Sequence, residues 1–156
     1  MTDSKTAMDK RAMNKTVSRR PPAPSARGHQ RIRQDHAREL AEDYVEIIDD
    51  LIRDTGEARA VDIAARLGVT HVTVTNAVAR LKRSGLVTSE PYRSIFLTRE
   101  GKRLAETSRR RHQLVLDFLL ALGVPAKDAE PDAEGIEHHL SASTIQAMKR
   151  FLDQSS

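Results

Sequence analysis

Carboxylates and imidazoles are the side chains in this sequence whose types and spacing could do chemistry. Residues 132–139 read DAEGIEHH, so that Glu134, Glu137 and His138 occupy positions i, i+3 and i+4. On a helix this spacing puts all three side chains on one face. Carboxylates held close together repel each other unless a cation joins them. The segment therefore predicts a metal site, with a solvated helix face as the alternative.

Three further candidate ligands lie elsewhere in the sequence. Asp43 and Glu46 are three residues apart, beside apolar positions and so near a domain junction, while His112 follows a run of three arginines. Taken alone, Asp43 and Glu46 could equally belong to a solvated face. Oxygen donors with few imidazoles and no sulfur suit Mn²⁺ or Fe²⁺ better than thiophilic metals. His139 is not assigned as a ligand.

The composition excludes several classes of protein. The chain has 156 residues and no cysteine, which rules out a disulfide scaffold, a cysteine-based zinc finger, an iron–sulfur site and a thiol nucleophile. No apolar run approaches the roughly 18 residues that a membrane span needs, and the N-terminus lacks the apolar core of a signal peptide. We therefore expect a cytoplasmic protein with no membrane partner.

Charge is distributed unevenly along the chain. Residues 1–33 carry a net charge of +7, residues 34–50 carry −6, residues 51–103 carry +5 and residues 104–156 carry −2. A basic middle segment suits a polyanionic partner. Aromatic residues make up 3% of the chain and Trp is absent, which argues against binding by stacking bases on aromatic side chains.

The elements that must position these residues are predominantly helical. Residues 1–34 show no apolar periodicity and predict a disordered basic tail, either a solvated extension or a phosphate-binding arm. Apolar positions at spacings of three and four predict a first helix that begins near Asp35 and stops before Thr55. The remaining predicted elements are a short helix ended by Gly68, a helix from His71 to about Ser84 capped by Thr70, a hairpin around residues 90–94, a helix from the Thr98 cap to about Leu122, a helix over residues 131–140 with Pro131 in its first turn, and a helix over residues 142–152 capped by Ser141.

Two short helices joined by residues 67–70 (LGVT) and followed by a hairpin predict a winged helix-turn-helix. In such a unit the second helix enters the major groove of DNA. Its outward side chains can bond base edges or phosphates. We therefore predict DNA contacts by His71, Thr73, Thr75, Asn76, Arg80 and Arg83, with Tyr92 and Arg93 of the wing at the backbone or minor groove. The alternative is a winged module that binds protein.

The sequence resembles the manganese-responsive, MntR-type branch of the diphtheria-toxin-repressor family. The resemblance extends over about residues 35–151. It is carried by AEDYVE at 41–46, VDIAARLGV at 61–69, FLTREG at 96–101, the pair Arg111 and His112, and DAEGIEHHLS at 132–141. These motifs occur in the order and at the spacing of the family.

The resemblance implies a mainly α-helical protomer with a winged helix-turn-helix at residues 35–103 and a helical metal-binding and dimerisation domain at residues 104–156. It implies no SH3-like third domain. The implied function is that of a homodimeric repressor, not an enzyme, whose Mn²⁺ form binds a palindromic double-stranded operator of manganese-uptake genes. One or two Mn²⁺ per protomer, and no organic cofactor, are implied, and the family ligands fall on Asp43, Glu46, His112, Glu134, Glu137 and His138.

Other readings of the sequence remain open at this point. The iron-responsive branch has methionine at the position of Asp43 and cysteine at that of Glu134, so the oxygen ligands here favour manganese; a sensor of iron or another divalent metal is the first alternative. A winged-helix regulator that senses an organic ligand is the second. A di-metal carboxylate enzyme is the third, but it would draw Glu-x-x-His from two helices. This chain offers no such second motif near another ligand.

Overall fold

The computed structural model describes residues 26–90 and 93–155, which are mostly helical. The helices pack as a winged helix-turn-helix followed by a helical C-terminal domain, as the sequence predicts. In the described part of the chain the elements are, in order, α1 (Ala26–Thr55), α2 (Ala60–Leu67), α3 (His71–Arg83), β1 (Val87–Thr88), β2 (Phe96–Leu97), α4 (Arg99–Ala121), α5 (Ala126–Ile136), a 3₁₀ turn (Glu137–His139) and α6 (Ala142–Ser155).

Helix α1 begins at Ala26, well before the expected start of order near Asp35. The prediction of a disordered tail over residues 1–34 is therefore wrong for residues 26–34, and residues 1–25 lie outside the described part of the chain. The helix was predicted from its apolar periodicity, which starts only at Leu40. The polar first part of the helix carries no such pattern. Arg, Gln and Ala are good helix formers, and they extend a helix whose apolar end is already held by packing.

The winged helix-turn-helix encloses the larger of the two apolar cores. Side chains of α1, α2, α3, the hairpin and the start of α4 fill it; fully buried examples are Val45, Ile48, Ile63, Val74 and Ala105. The inner face of α3 is Val74, Val78 and Leu81, as predicted. This core fixes the orientation of α3, whose opposite face is exposed.

Single residues determine where the helices of this domain end and begin. Gly68 adopts the left-handed conformation that ends α2, with φ +65°. The Thr70 hydroxyl then accepts a hydrogen bond from the Thr73 amide at 3.2 Å and caps α3. In the hairpin, β1 and β2 are antiparallel, and a further bridge pairs Ala58 with Ile95. The wing is thereby tied to the segment that precedes α2.

Helix α4 connects the two domains. The Thr98 hydroxyl accepts from the Gly101 amide at 3.1 Å and donates to the Gly85 carbonyl at 2.7 Å, which fastens the helix start to the turn before the wing. Further along, the same helix contributes Val115 to the second, smaller core. None of the described helices is long and apolar enough to cross a bilayer.

The C-terminal domain departs from the sequence prediction at α5. The helix starts at Ala126, with Pro125 in the cap position, so Pro131 lies inside the helix and not in its first turn. It ends at Ile136, and residues 137–139 form a 3₁₀ turn. The expected continuous helix over residues 131–140 is therefore wrong. Pro131 has no N–H to donate to the carbonyl of Lys127, and this helix tolerates the missing bond.

Candidate metal centre and nucleic-acid interface

Most of the predicted metal ligands meet where α1, α4 and the 3₁₀ turn converge. His112 of α4 places its Nδ1 3.0 Å from Oε2 of Glu137 and 3.5 Å from Oε2 of Glu134. Ligand atoms of these three residues all lie within 4.8 Å of one another. Glu134 belongs to α5 and Glu137 to the 3₁₀ turn, so the two carboxylates converge on His112 although they do not share one continuous helical face.

Glu137 also contacts the second imidazole. Its Oε1 lies 3.3 Å from Nε2 of His138, and the same nitrogen lies 3.4 Å from Oδ1 of Asp43 on α1. The Glu137 carboxylate therefore lies between the two imidazoles with one oxygen toward each. Glu137 and His138 are buried, with 2% and 9% of their surfaces exposed. The centre has a buried inner side and an exposed outer side at Glu134.

Glu46 lies at the edge of this group. Burial raises its pKa, although Ser108 and Arg109 of α4 oppose the shift, and the charges of Glu134 and His112 act on it as well. The structure thus brings Asp43, His112, Glu134, Glu137 and His138 into a chain of contacts and places Glu46 next to it.

Reasoning from the sequence did not assign to the site four residues that lie beside the ligands: Glu42, Ser108, Arg111 and Glu130. Glu42 is 3% exposed and lies 2.8 Å from Nδ1 of His138. Arg111 donates to Glu42 and to Ser108. Glu130 lies 3.2 Å from Nε2 of His112. Glu130 precedes Glu134 by one helical turn, which is a signal the sequence contains; nothing in the sequence marks Glu42 as buried.

Burial shifts the ionisation of the carboxyl groups in the centre. Burial raises the pKa of Glu137 to about 7, although His112 and His138 oppose the shift. Burial likewise raises the pKa of Asp43 to about 6, and it raises the pKa of Glu46. Burial alone would lower the pKa of His112, but neighbouring carboxylates led by Glu137 outweigh it and raise that pKa. The pKa of Glu42 shifts in the opposite direction, because Arg111 and His138 lower it more than burial raises it.

These shifts predict that the metal-free protein loses stability as the pH rises from about 4 to about 7. Unfolded carboxyl groups ionise near pH 4, whereas Glu137 and Asp43 stay protonated in the fold until about pH 7 and 6. Above those values folding must bury charge, and the favourable pairing of protonated His112 is lost as well. We expect a loss on the order of 3 kcal/mol, with a reduced share from the partly exposed Asp43.

Urea denaturation in chelator across this pH range measures the effect. Glu137→Gln should flatten the profile, since the amide does not ionise, and Glu106→Gln on an exposed part of α4 should leave it unchanged. A free energy of unfolding that increases with pH in the wild-type protein would contradict the assigned burial of these carboxyls.

The donor atoms fit a hard divalent cation. Oε2 of Glu137 is buried and has no hydrogen-bond partner among the described residues, although it faces the His112 ring. A buried carboxylate oxygen without a partner is costly unless a charge compensates it. Carboxylate oxygens and imidazole nitrogens around it suit Mn²⁺ or Fe²⁺.

The exposed face of α3 forms the candidate nucleic-acid interface. His71, Thr75 and Asn76 line a groove of about 770 Å³ between α3, the start of α2 and the wing. Arg80 and Arg83 line a second cleft of about 660 Å³, between α3 and α1, that also contains Arg33. Asn76 also lines a depression together with Arg80 and Arg83, so it joins the two groups of predicted DNA-contacting residues. Both clefts contain cationic side chains that suit phosphates.

The remaining predicted contacts are placed differently. The Thr73 hydroxyl is 2.9 Å from that of Thr70, and the Thr75 hydroxyl donates to the His71 carbonyl at 2.9 Å. Arg93 is exposed in the wing and pairs with Glu90 at 3.6 Å. Tyr92 lies outside the described residues.

Two residues of this face were not predicted. Lys82 donates to the Ser89 carbonyl at 2.6 Å and ties α3 to the wing, and Val72 is 67% exposed in the groove. An exposed valine there could meet a thymine methyl group.

A winged helix-turn-helix joined to a helical domain with a carboxylate–imidazole centre defines a metal-dependent DNA-binding regulator. Two family models match this division. Residues 37–95 match the iron dependent repressor, N-terminal DNA binding domain, and residues 98–156 match the iron dependent repressor, metal binding and dimerisation domain.

Similar proteins give the same assignment. The transcriptional regulator MntR of Escherichia coli O6:H1 is 53% identical over 124 residues, which cover 80% of each chain. The HTH-type transcriptional regulator MntR of Bacillus pumilus is 41% identical over 117 residues, covering 73% of this chain and 81% of that protein. The chain belongs to the iron-dependent repressor family, the family of the diphtheria-toxin repressor, and within it to the MntR-type transcriptional regulators. It is thus a metal-dependent, DNA-binding repressor and not an enzyme.

Solved structures share the fold. A manganese-dependent transcriptional repressor in complex with manganese is 28% identical with a TM-score of 0.64, and the match covers 72% of this chain and 52% of that one. The manganese regulator SloR is 29% identical with a TM-score of 0.63, at 72% and 53% coverage. This chain spans about half the length of these structures.

Proposed function

We propose that this protein is a manganese-responsive repressor that acts in the cytoplasm. As a homodimer with Mn²⁺ bound, it binds a palindromic operator and represses manganese-uptake genes. The observation that carries the proposal is the origin of the ligands. Asp43 and Glu46 come from α1 of the DNA-binding domain, whereas Glu134, Glu137 and His138 come from the C-terminal domain, with His112 on the helix that joins them. The hard donor set and the relatives named for manganese both favour this metal.

The proposed roles of the residues follow from their positions. Glu137 and His138 provide the buried inner ligands, Asp43, His112 and Glu134 complete the set, and Glu46 is the sixth proposed ligand. Mn²⁺, as one or two ions per protomer, would supply positive charge that joins carboxylates which otherwise repel one another. Without that charge, repulsion between Asp43 on α1 and Glu137 on the 3₁₀ turn favours separation of the two domains. The residues thereby make the angle between the two domains depend on the metal.

The domain angle matters because a dimer must present two α3 helices together. Recognition helices of a dimer read half-sites about 34 Å apart in successive major grooves. Restricting the angle selects the dimers that fit this spacing. A coupling of about 1–3 kcal/mol is usual for such switches.

The C-terminal domain has an apolar surface that suits dimerisation. Its buried core is small, whereas Leu120, Leu122 and Ile136 are 41%, 55% and 38% exposed. Exposed large apolar side chains on one domain are typical of an interface. The family model for this region describes a dimerisation domain.

Operator binding followed by fluorescence anisotropy tests the proposal. The DNA comes from the promoter of a manganese importer, and Mn²⁺, Fe²⁺, Zn²⁺ or chelator is added at one fixed salt concentration, because phosphate contacts make affinity salt-dependent. We expect tight binding with Mn²⁺ and weak binding in chelator. Stronger activation by Fe²⁺ would support an iron sensor, and equal binding in chelator would support a regulator that senses an organic ligand.

Arg80→Ala should weaken operator binding without changing metal binding. Arg80 is exposed near the end of α3 and lines a depression with Asn76 and Arg83. Loss of one arginine contact to DNA costs about 1–3 kcal/mol for a base contact, with a smaller uniform loss and a shallower salt dependence for a phosphate contact. Anisotropy with Mn²⁺ measures the loss, and titration with Mn²⁺ in the absence of DNA measures metal affinity.

Arg150→Ala is the matched control, because Arg150 is exposed on α6 in the other domain. It should leave both affinities unchanged. A loss of Mn²⁺ affinity in Arg80→Ala as large as its loss of DNA affinity would show that Arg80 acts on the metal centre and not on DNA.

A further inference from the structure

The imidazole of His138 has carboxylates next to both ring nitrogens: those of the metal centre on one side and that of Glu42 on the other. Its Nε2 faces the metal centre, toward Asp43 and Glu137. Its Nδ1 faces away from the centre and lies 2.8 Å from Oε2 of Glu42. The side chains of His138 and Glu42 are 5% and 4% exposed, so neither contact competes freely with water.

The hydrogen-bond roles on the outer side of this ring follow from Arg111. Its Nη2 donates to the same oxygen of Glu42 and lies 3.3 Å from Nδ1 of His138. The Glu42 oxygen can accept from both neighbours, and the Nδ1 contact to it is the shorter of the two that Nδ1 makes. The arrangement in which the Glu42 oxygen accepts from both neighbours places the proton of neutral His138 on Nδ1. The lone pair is then on Nε2, where it points into the metal centre.

His112 shows the same arrangement with its nitrogens exchanged. Its Nδ1 faces Glu134 and Glu137 in the centre, and its Nε2 lies 3.2 Å from Oε1 of Glu130 on the outer side. Nδ1 lies closer to a carboxylate oxygen, at 3.0 Å from Oε2 of Glu137, but that oxygen has no hydrogen-bond partner in the described part of the chain, so the hydrogen bond of this ring is the one at Nε2. A proton on Nε2 leaves the Nδ1 lone pair for the centre. Glu130 is 62% exposed, so water can replace it more easily than it can replace Glu42.

We propose that Glu42 and Glu130 are positioning residues, each of which fixes the tautomer of one histidine so that its lone pair points into the metal centre. Glu42 acts on His138 and Glu130 acts on His112. Such outer carboxylates orient a ligating imidazole and raise its basicity. Because Glu42 belongs to α1, it also makes the orientation of His138 depend on the position of the DNA-binding domain. The inference rests on the proposed metal centre.

The tautomers are measured by ¹⁵N NMR of the histidine rings in the metal-free protein, at alkaline pH where the rings are neutral. We expect the proton on Nδ1 of His138 and on Nε2 of His112 in the wild-type protein. Glu42→Met should shift His138 toward the Nε2-protonated form and leave His112 unchanged. Glu130→Met should shift His112 toward the Nδ1-protonated form to a smaller extent and leave His138 unchanged. Glu42→Gln should keep the His138 tautomer, since its amide oxygen still accepts.

Glu42→Met leaves Arg111 buried without its partner, which threatens folding. The double variant Glu42→Met with Arg111→Met removes both charges and should show the same change of tautomer. Asp49→Asn is the control for loss of a similar bridge, because Asp49 joins α1 to Arg109 of α4 at 3.0 Å and contacts no ligand histidine. It should lower stability without changing either tautomer.

Titration with Mn²⁺ in the absence of DNA provides the second readout. We expect a loss of affinity of about 10- to 100-fold for Glu42→Met, a smaller loss for Glu42→Gln and for Glu130→Met, and none for Asp49→Asn. A wild-type His138 protonated on Nε2, or an unchanged tautomer in folded Glu42→Met or in the double variant, would overturn the proposal. Failure of the wild-type protein to bind Mn²⁺ would instead overturn the proposed function, because the tautomer measurement needs no metal.

Discussion

Glu137→Ala is expected to abolish the Mn²⁺-dependent gain in operator affinity and to leave the winged helix-turn-helix folded. Glu137 is the residue of the centre that contacts both imidazoles, at 3.0 Å to His112 and 3.3 Å to His138. Alanine removes both contacts and the buried oxygen that lacks a hydrogen-bond partner among the described residues. With a coupling of about 1–3 kcal/mol, the wild-type gain is about 5- to 150-fold, and the variant should show none of it.

The metal-free variant should be no less stable than the wild-type protein above about pH 7. Burial raises the pKa of Glu137 to about 7, so its ionised form opposes folding at higher pH. The lost packing of the side chain partly offsets this gain, and Glu137→Gln keeps that packing. Anisotropy with Mn²⁺ and with chelator measures the switch, and urea denaturation in chelator measures stability.

Glu106→Ala is the control for loss of a glutamate, because Glu106 is exposed on α4 and pairs with Arg110. It should retain the full response to Mn²⁺. Unchanged Mn²⁺-dependent binding by folded Glu137→Ala would disprove a switch built on this centre. Operator binding lost equally with Mn²⁺ and with chelator would point to damage in the DNA-binding domain.

The winged helix-turn-helix was predictable because its signals are local. Thr70, Thr98 and Ser141 cap the helices for which the sequence proposes them, each accepting a bond from the backbone amide three residues on. Apolar spacing on α3 gave its buried face directly. Such features depend on a few neighbouring residues, and the tertiary structure agrees with them.

The errors of prediction arise where a nonlocal contact or a polar helix decides the outcome. Proline is favoured in the first turn of a helix, but α5 begins earlier because Pro125 and Gly123 already provide its start. The first part of α1 carries no apolar stripe, so periodicity could not reveal it. Glu42 is buried because Arg111, which lies 69 residues away, pairs with it, and no spacing rule contains that information.

The spacing of residues within one segment was also insufficient to predict the whole metal centre. It related Glu134, Glu137 and His138 to each other, and Asp43 to Glu46, but it could not relate α1 to α5. The family resemblance named the six residues together. The structure shows how five of them come into contact across four elements, α1, α4, α5 and the 3₁₀ turn, and the proposed dependence of the domain angle on the metal rests on that arrangement.

Gly101→Ala is expected to destabilise the protein by about 3 kcal/mol or more. A Cβ at Gly101 would lie 2.0 Å from the carbonyl oxygen of Leu86 and 3.3 Å from Cδ2 of Leu97. The Leu86 oxygen belongs to the backbone and accepts from the Thr98 amide at 3.0 Å, so it cannot turn aside as a flexible side chain could. Either α4 or the wing must shift, which disrupts the bonds that fasten them. Overpacking usually costs about 1–3 kcal/mol, and a contact this short with backbone lies at the upper end.

Gly135→Ala is the matched control, because Gly135 is also a helical glycine but nothing lies within 4 Å of its added Cβ. Alanine there should stabilise the metal-free protein by about 0.5–1 kcal/mol, since glycine is the poorer helix former. Urea denaturation of both variants in chelator gives the comparison. Opposite signs would show that close approach of α4 to the Leu86 backbone determines the need for glycine at position 101. If Gly101→Ala were as stable as Gly135→Ala, the start of α4 would not be fastened to the backbone before the wing in the way described.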